Sequence, residues 1–220
     1  MRKANCLLLL YLALSLAVGC QKPVPPLVSP DANRRDADAG IASLTRVASD
    51  LLSKNNRPGS IIVRVNCDRP GLADRRVPAD RVSNNSDWKG ALTQLLAGER
   101  DLSWEESGGL VRVVDKSIDS DFLKVRLKNF RVRSTTGTYG VVNDLWNAPE
   151  VLAFIQSHSI QRFQRPSRIW AESSPITIHM MDASVSDILD ESAKRFKGIW
   201  VYVECKDKEG RRVDFDLVQF

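Results

Sequence analysis

The spacing of hydrophobic residues near the start of the folded part of the chain predicts a helix, a strand and a long loop. Over 41–52, apolar residues recur every three or four positions, and Pro58 and Gly59 lie just beyond the end of this pattern. The apolar, β-branched run over 61–65 then predicts a strand. Residues 68–84 are rich in Asp, Arg, Pro and Asn, so we expect them to form a loop.

A second helix and a hairpin complete the first half of the pattern. The apolar residues of 88–96 again have helical spacing, with Ser86 expected as the N-cap and Gly98 as the residue that ends the helix. Residues 102–114 predict a hairpin, because two strand-forming runs flank the turn sequence Ser107-Gly108-Gly109.

The second half of the chain opens on a strand in which apolar and basic residues alternate. The alternation runs from Leu123 to Leu127, and the next apolar pair is Phe130 and Val132. This change of phase predicts one extra residue near Asn129, which is a β-bulge that keeps both apolar sets on one face.

Helices, another strand and a second hairpin follow. Helical spacing runs over 141–146 and again over 149–155, where a proline occupies the first turn. A strand is predicted at 176–178, and Ser184 is expected to cap the helix that comes after it. A glycine ends that helix, and the last hairpin turns around Lys208-Glu209-Gly210.

The order strand, amphipathic helix, glycine and hairpin therefore occurs twice. A shift of 97 positions superimposes the apolar residues of the two capped helices, placing Trp88 on Val185, Ala91 on Ile188 and Leu92 on Leu189. Each unit alone is too small to bury much apolar surface. The predicted fold class is α+β, with two βαββ-like units, 39–117 and 118–220, packed together behind a disordered N-terminal tether.

Two stretches of this pattern resemble the short secretin and TonB N-terminal domain family, and secretin N-domains more broadly. They are 86–98 and 176–189, each with the hairpin that follows. The resemblance implies a periplasmic protein-binding module that docks by its sheets and helices and carries no catalytic residues. Because the loop over 68–84 interrupts the first unit and no β-barrel segment follows the second, the chain is not expected to be a secretin or receptor itself.

The first twenty residues have the features of a secretory signal. Arg2 and Lys3 precede a short apolar run that ends in Ala17-Val18-Gly19-Cys20, and a run of about a dozen residues is shorter than the roughly 20 that span a bilayer. This ending resembles the lipobox of bacterial lipoproteins, with Ala17 in place of the usual leucine. The resemblance implies a signal peptide over 1–19 and, on Cys20, a diacylglyceryl group with an N-acyl chain such as palmitate, which together hold a protein stably at a membrane.

A proline-rich and charged segment over 20–38 predicts a tether between this anchor and the folded part. The residue after Cys20 is Gln21. In enteric-type sorting of such lipoproteins, Asp at this position marks retention in the inner membrane. Gln21 therefore favours the outer membrane, with the protein facing the periplasm of a bacterial envelope.

Composition adds little to this picture. The chain has 32 Lys+Arg and 27 Asp+Glu, a net charge of +5, and removal of Arg2 and Lys3 with the signal lowers the net charge to +3. This excess is too small to indicate nucleic-acid binding. With 43% hydrophobic and 27% charged residues, the chain is typical of globular proteins.

Two cysteines remain after the signal and the lipidated residue are set aside. Cys67 and Cys205 lie one in each half of the chain, and the compartment that the signal implies is oxidising. Two interpretations stay open, because a sequence carries no distances. The two cysteines form a disulfide, or they are separate buried thiols.

Catalytic and metal-binding motifs are not found in the sequence, so neither an enzyme nor a cofactor is expected. The two histidines, His158 and His179, are interpreted as ordinary surface or partly buried residues. The carboxylates near the start of the last helix favour a helix-dipole role over acid/base chemistry. They are Asp182, Asp187, Asp190 and Glu191.

A basic stripe is the one candidate binding feature. Lys124, Arg126 and Lys128 are predicted to project from one strand face, with Arg131 and Arg133 just after. Such a stripe suits an anionic partner, although a solvated face or a protected edge strand is the favoured interpretation. We therefore expect a lipid-anchored, non-catalytic protein-interaction module, an accessory of an envelope assembly. The first alternative is a lipoprotein that holds an anionic envelope polymer through this face, and the second is an enzyme whose site carries no recognisable motif.

Overall fold

The computed structural model describes residues 41–67, 76–78, 87–134, 137–163 and 175–219. The fold is α+β, as predicted. The helices of these residues are α1 (Leu44–Lys54), α2 (Trp88–Leu96), α3 (Thr138–Trp146), α4 (Pro149–Ser157) and α5 (Val185–Phe196), with a short 3-10 helix over Asp121–Lys124. The strands are β1 (Ile41–Ser43), β2 (Gly59–Arg64), β3 (Arg76–Pro78), β4 (Leu102–Ser107), β5 (Leu110–Asp115), β6 (Arg126–Ser134), β7 (Ile160–Arg162), β8 (Ile176–Ser184), β9 (Gly198–Asp207) and β10 (Gly210–Gln219).

A mixed six-stranded sheet organises the molecule, in the order β4-β5-β2-β9-β10-β7. Strands β5, β2 and β9 run parallel to one another, and β4, β10 and β7 run the opposite way. The two halves of the chain meet inside this sheet, because β2 pairs with β9 from Gly59 opposite Ile199 to Arg64 opposite Glu204. Two antiparallel ribbons, β1–β3 and β6–β8, are separate from it.

A hydrophobic core lies on each face of the sheet. Apolar side chains of α1 and α2 pack on one face, and those of α3, α4, α5 and the β6–β8 ribbon pack on the other. The central strand β9 contributes to both, since Val201 enters the first core while Trp200 and Tyr202 enter the second. Its first eight residues are all buried, as expected for a strand covered on both faces.

The two halves repeat one arrangement of elements. In the first half, β1 pairs with β3, and β4, β5 and β2 form three adjacent strands of the large sheet. In the second half, β6 pairs with β8, and β9, β10 and β7 take the same three places. The strand order is kept while every strand direction is reversed and the helices lie on the opposite face. The halves are thus related by an approximate half-turn about an axis that lies in the sheet and crosses the strands, combined with a shift of three strands along that axis.

The repeat predicted from the sequence is also visible in burial. The buried residues of α2 lie at 88, 91, 92, 95 and 96, and a shift of 97 carries each onto a buried residue of α5. Both predicted hairpins are present, and Ser184 caps α5 as expected. There, the Ser184 hydroxyl accepts from the N–H of Asp187, and the Asp187 carboxylate accepts from the N–H of Ser184.

Several local predictions for the first unit were wrong. Ile41 begins a strand and not the helix, because Ser43 caps α1 by accepting from the N–H of Arg46. The residue that caps α2 is Asp87 and not Ser86, since the Asp87 carboxylate accepts from the N–H groups of Lys89 and Gly90. The predicted loop over 68–84 contains β3, which pairs with β1. Ser86 itself lies outside the described residues.

The predicted bulge in β6 was also wrong, although the change of phase is real. Leu127 and Phe130 are both buried while the two residues between them are exposed. Leu127 lies opposite Ala183, and Asn129 lies opposite Met181, so no strand carries an extra residue. Both strands change phase together, and Asp182 takes a left-handed conformation with φ of +45° at this point.

Candidate functional site

The basic stripe is divided in the structure. Lys124 was predicted on the strand face but lies in the 3-10 helix, where its ammonium group is 2.8 Å from the Asp119 carboxylate. The Arg126 guanidinium is 2.9 Å from the Asp182 carboxylate. The hydrogen bond from Lys124 lowers the pKa of Asp119, and that from Arg126 lowers the pKa of Asp182. Each of these two cations therefore has its own anion.

The remaining three cations of the stripe form what we call the basic face. Lys128, Arg131 and Arg133 are exposed on β6, and their side chains form no ion pair with any residue that the structure describes. His179 of β8 lies opposite Arg131. Met181, which is 64% exposed, projects beside them. This face offers positive charge over a ribbon whose other side packs on the core.

The two cysteines of the folded part are joined. The Cα atoms of Cys67 and Cys205 are 5.4 Å apart, and the two sulfur atoms form a disulfide across 138 positions of sequence. Cys67 follows β2 and Cys205 lies in β9, so the bond ties together the two strands at which the units meet. Cys20 lies outside the described residues, as do the predicted signal peptide over 1–19 and the tether over 20–38.

The histidines and the acidic cluster do not converge on a common site. His158 ends α4 and hydrogen-bonds Ser157 and the Phe154 carbonyl, whereas His179 lies on the β6–β8 ribbon. The carboxylates near α5 each bind a different partner. These pairs are Asp182 with Arg126, Asp187 with Ser184, Asp190 with Arg112 and Trp200, and Glu191 with Arg195.

A buried polar network that the sequence did not reveal lies where β9 meets β10. Glu204, which is 6% exposed, accepts from the Tyr202 hydroxyl at 2.7 Å and from the Arg211 guanidinium at 2.8 Å. Arg211 also binds Asp121 of the 3-10 helix. Burial and the Glu204 charge raise the pKa of Tyr202. Burial opposes the charged form of Arg211, but its hydrogen bonds to Glu204 and Asp121 raise its pKa.

Strand β4 is a terminal strand of the six-stranded sheet, and no strand among the described residues pairs with its outer edge. The hairpin of β4 and β5 is closed by two residues with positive φ, Gly108 at +58° and Gly109 at +78°, and the Lys116 N–H donates to the Asp101 carbonyl. Because bonded and non-bonded pairs alternate along an antiparallel ladder, the N–H and C=O groups of Trp104 and Glu106 point away from β5. We call these four groups the β4 edge.

The backbone groups of the β4 edge have no hydrogen-bond partner among the described residues. The side chains of Trp104 and Glu106 contact residues of α2. The ring of Trp104 lies 5.8 Å from that of Trp88, and its indole N–H donates to Thr93. Glu106 is 2.8 Å from the Lys89 ammonium group, and this hydrogen bond lowers the pKa of Glu106. The edge is therefore held rigidly while its peptide groups face outward.

No family model, curated protein or solved structure matches this chain. Among the described residues, His, Cys, Asp and Glu form no group of three or more that is suited to holding a metal ion. In that same part of the chain, no helix is both long and apolar enough to cross a membrane.

Proposed function

We propose that the chain is a lipid-anchored bacterial envelope protein that acts as a non-catalytic protein-interaction module. It binds its partner by accepting an extended segment alongside β4. The observation that carries this proposal is the β4 edge, where the peptide groups of Trp104 and Glu106 point away from the sheet without a partner among the described residues. An added strand would bond these groups and continue the sheet beyond β4.

The site chemistry supports binding more than catalysis. The two histidines lie on different elements, and each carboxylate near α5 already has a separate partner. A general acid/base pair needs two groups that converge on one reacting atom. The anchor rests on the sequence around Cys20 and on the resemblance to lipoprotein signals, and the resemblance to secretin N-domains favours a partner within an envelope assembly.

Photo-crosslinking in cells tests the binding edge. A crosslinking amino acid at Ser103 should capture one envelope protein, and the capture should fail in Glu106→Pro, because proline removes an outward N–H. Glu106→Ala is the matched control, since it loses the same side chain and keeps the N–H. Capture that persists in Glu106→Pro, or that occurs only from positions on β6, would contradict binding at the β4 edge.

Metabolic labelling with a palmitate analogue tests the anchor separately. The wild type should incorporate the label and sediment with membranes, and Cys20→Ser should do neither. A wild type that remains unlabelled would overturn the anchor and leave the strand-binding proposal standing.

The basic face supports a second candidate function, which is binding of an anionic envelope polymer. Lys128, Arg131 and Arg133 carry no acidic partner among the described residues, so their charge is available to a ligand. Arg131→Glu with Arg133→Glu should abolish binding to lipopolysaccharide or peptidoglycan, and binding should weaken steeply with salt. Lys124→Glu is the control, because Asp119 already neutralises Lys124. Equal loss in the control would contradict a role for this face.

A further inference from the structure

The free edge of the first unit has an occupied counterpart in the second. An offset of 98 positions matches the helix-facing side chains of the two hairpins, placing Trp104 on Tyr202 and Glu106 on Glu204. The Glu204 carbonyl accepts from the N–H of Val65, at the end of β2, at 2.9 Å. In the second unit this same edge therefore receives a strand, and the strand runs parallel to β9.

The side chains along β4 define two different environments for an added strand. On the side that faces α2, Trp104 presents partly exposed aromatic surface and packs on the buried Trp88. Ser103 and Glu105 lie on the other side, and the side chain of Glu105 is 65% exposed. Among the described residues, the one cation within 4.0 Å of the Glu105 carboxylate is Arg112, and the Arg112 guanidinium also binds the Asp190 carboxylate. The charge of Glu105 is therefore weakly compensated.

We propose that the β4 edge takes an extended protein segment that runs parallel to β4 and alternates apolar with basic residues. Alternate side chains of a strand point to opposite faces, so the apolar residues pack beside Trp104 and the basic residues face Glu105. Strand β2 on β9 is the precedent within the molecule for the parallel direction. This inference rests on the proposed function, because it specifies the partner of the same edge.

Peptide binding to the chain from residue 20 onward, carrying Cys20→Ser, tests the chemistry. The probe is a blocked eight-residue peptide of alternating valine and lysine. Two controls are a peptide with four valines before four lysines and a peptide of alternating valine and glutamate. Calorimetry should show that the alternating basic peptide binds at least about tenfold more tightly than either control, since one control loses the alternation and the other places like charges together.

Substitutions in β4 separate the parts of the proposal. Glu105→Lys leaves the backbone edge intact. It should weaken binding of the basic peptide about tenfold and strengthen binding of the acidic peptide. Glu106→Pro should abolish binding of both, and Glu106→Ala should retain it. A spin label on the peptide N-terminus should broaden the amide resonance of Leu102 more than that of Ser107, as a parallel strand requires.

The outcomes distinguish this inference from the function on which it rests. Peptide binding that is lost in Glu106→Pro but unaffected by Glu105→Lys would overturn the basic partner and keep strand addition. A spin label that broadens the amide resonance of Ser107 more than that of Leu102 would overturn the parallel direction alone. If no peptide binds while crosslinking from Ser103 still depends on Glu106, the chemistry fails and the proposed function stands. Binding that is equal in wild type and Glu106→Pro overturns both.

Discussion

Strands β4 and β9 occupy the same place in the two units, yet β4 ends the sheet of the described residues and β9 lies at its centre. The residue types of each strand match its surroundings in the sheet. β9 has eight consecutive buried residues, whereas β4 changes from a buried Leu102 to exposed Glu105, Glu106 and Ser107. One backbone arrangement thus serves as a core strand or as an accessible edge, and the side chains decide which.

A buried charge in β9 should have the largest effect in this comparison. Val201→Glu places a carboxylate in the core between the sheet and α1, and we expect a loss of more than about 4 kcal/mol in the free energy of unfolding. Ser103→Glu is the matched change in β4 and should cost less than about 0.5 kcal/mol. Urea denaturation of both variants measures the difference. Similar losses would mean that β4 is as enclosed as β9.

Removal of the disulfide should have the next largest effect. Cys67→Ser with Cys205→Ser frees two strands that are 138 positions apart in the chain. Because removal of a native disulfide typically costs about 2–5 kcal/mol, we expect a loss of about 4 kcal/mol in unfolding free energy. Reduction of the wild type should lower its denaturation midpoint to that of the double variant, and the midpoint of the double variant should not change on reduction. A reductant effect on the double variant would show that another thiol is responsible.

The paired glutamates should respond less strongly but still unequally. Glu204→Ala removes a buried anion from Tyr202 and Arg211, so we expect a loss of about 3 kcal/mol in unfolding free energy. Glu106→Ala, at the equivalent position of β4, should leave the denaturation midpoint unchanged, because Lys89 and Arg57 remain solvated there. Thermal and urea melts of the two variants test this. A larger loss in Glu106→Ala would reverse the assignment of buried and free edges.

The cap of α5 should show the smallest effect, with a defined pH dependence. Ser184→Ala should cost about 1 kcal/mol of unfolding free energy near neutral pH. The Ser184 hydrogen bonds lower the pKa of Asp187, so their stabilisation is present above the ordinary carboxylate pKa of about 4. It is lost as the pH falls through the lowered pKa.

Denaturation midpoints of wild type and Ser184→Ala between pH 7 and 2 should therefore converge in acid. Asp187→Asn is the control, because it removes the titrating group and should flatten this part of the pH dependence. Convergence that persists in Asp187→Asn would assign it to a different carboxylate.

Local elements were largely predictable from the sequence because their signals are local. The spacing of apolar residues in α2 and α5, the glycines of the first hairpin and the Ser184 cap all act within a few positions. The missed cap shows the limit of such signals. Ser and Asp are both favoured as N-caps, and the sequence alone does not show that the helix starts after Asp87 and not after Ser86.

Contacts between distant parts of the chain were not predictable in the same way. The pairing of β2 with β9, the partners of Lys124 and Arg126, and the network around Glu204 all join residues that no sequence pattern connects. Glu204 is a charged residue among the apolar residues of β9, which indicates a buried charge that needs a partner but does not identify Arg211 as that partner. The β4 edge likewise became visible only when the strand order was known.

The disulfide also determines what a single cut in the backbone would do. Every peptide bond between Cys67 and Cys205 lies inside one covalent ring, which contains both ribbon strands β6 and β8 as well as β4 and β5. A protease that cleaves the chain anywhere in this ring opens it without separating two fragments. The protein would migrate as two pieces on a gel only after reduction, so a nicked molecule in an oxidising compartment remains one molecule.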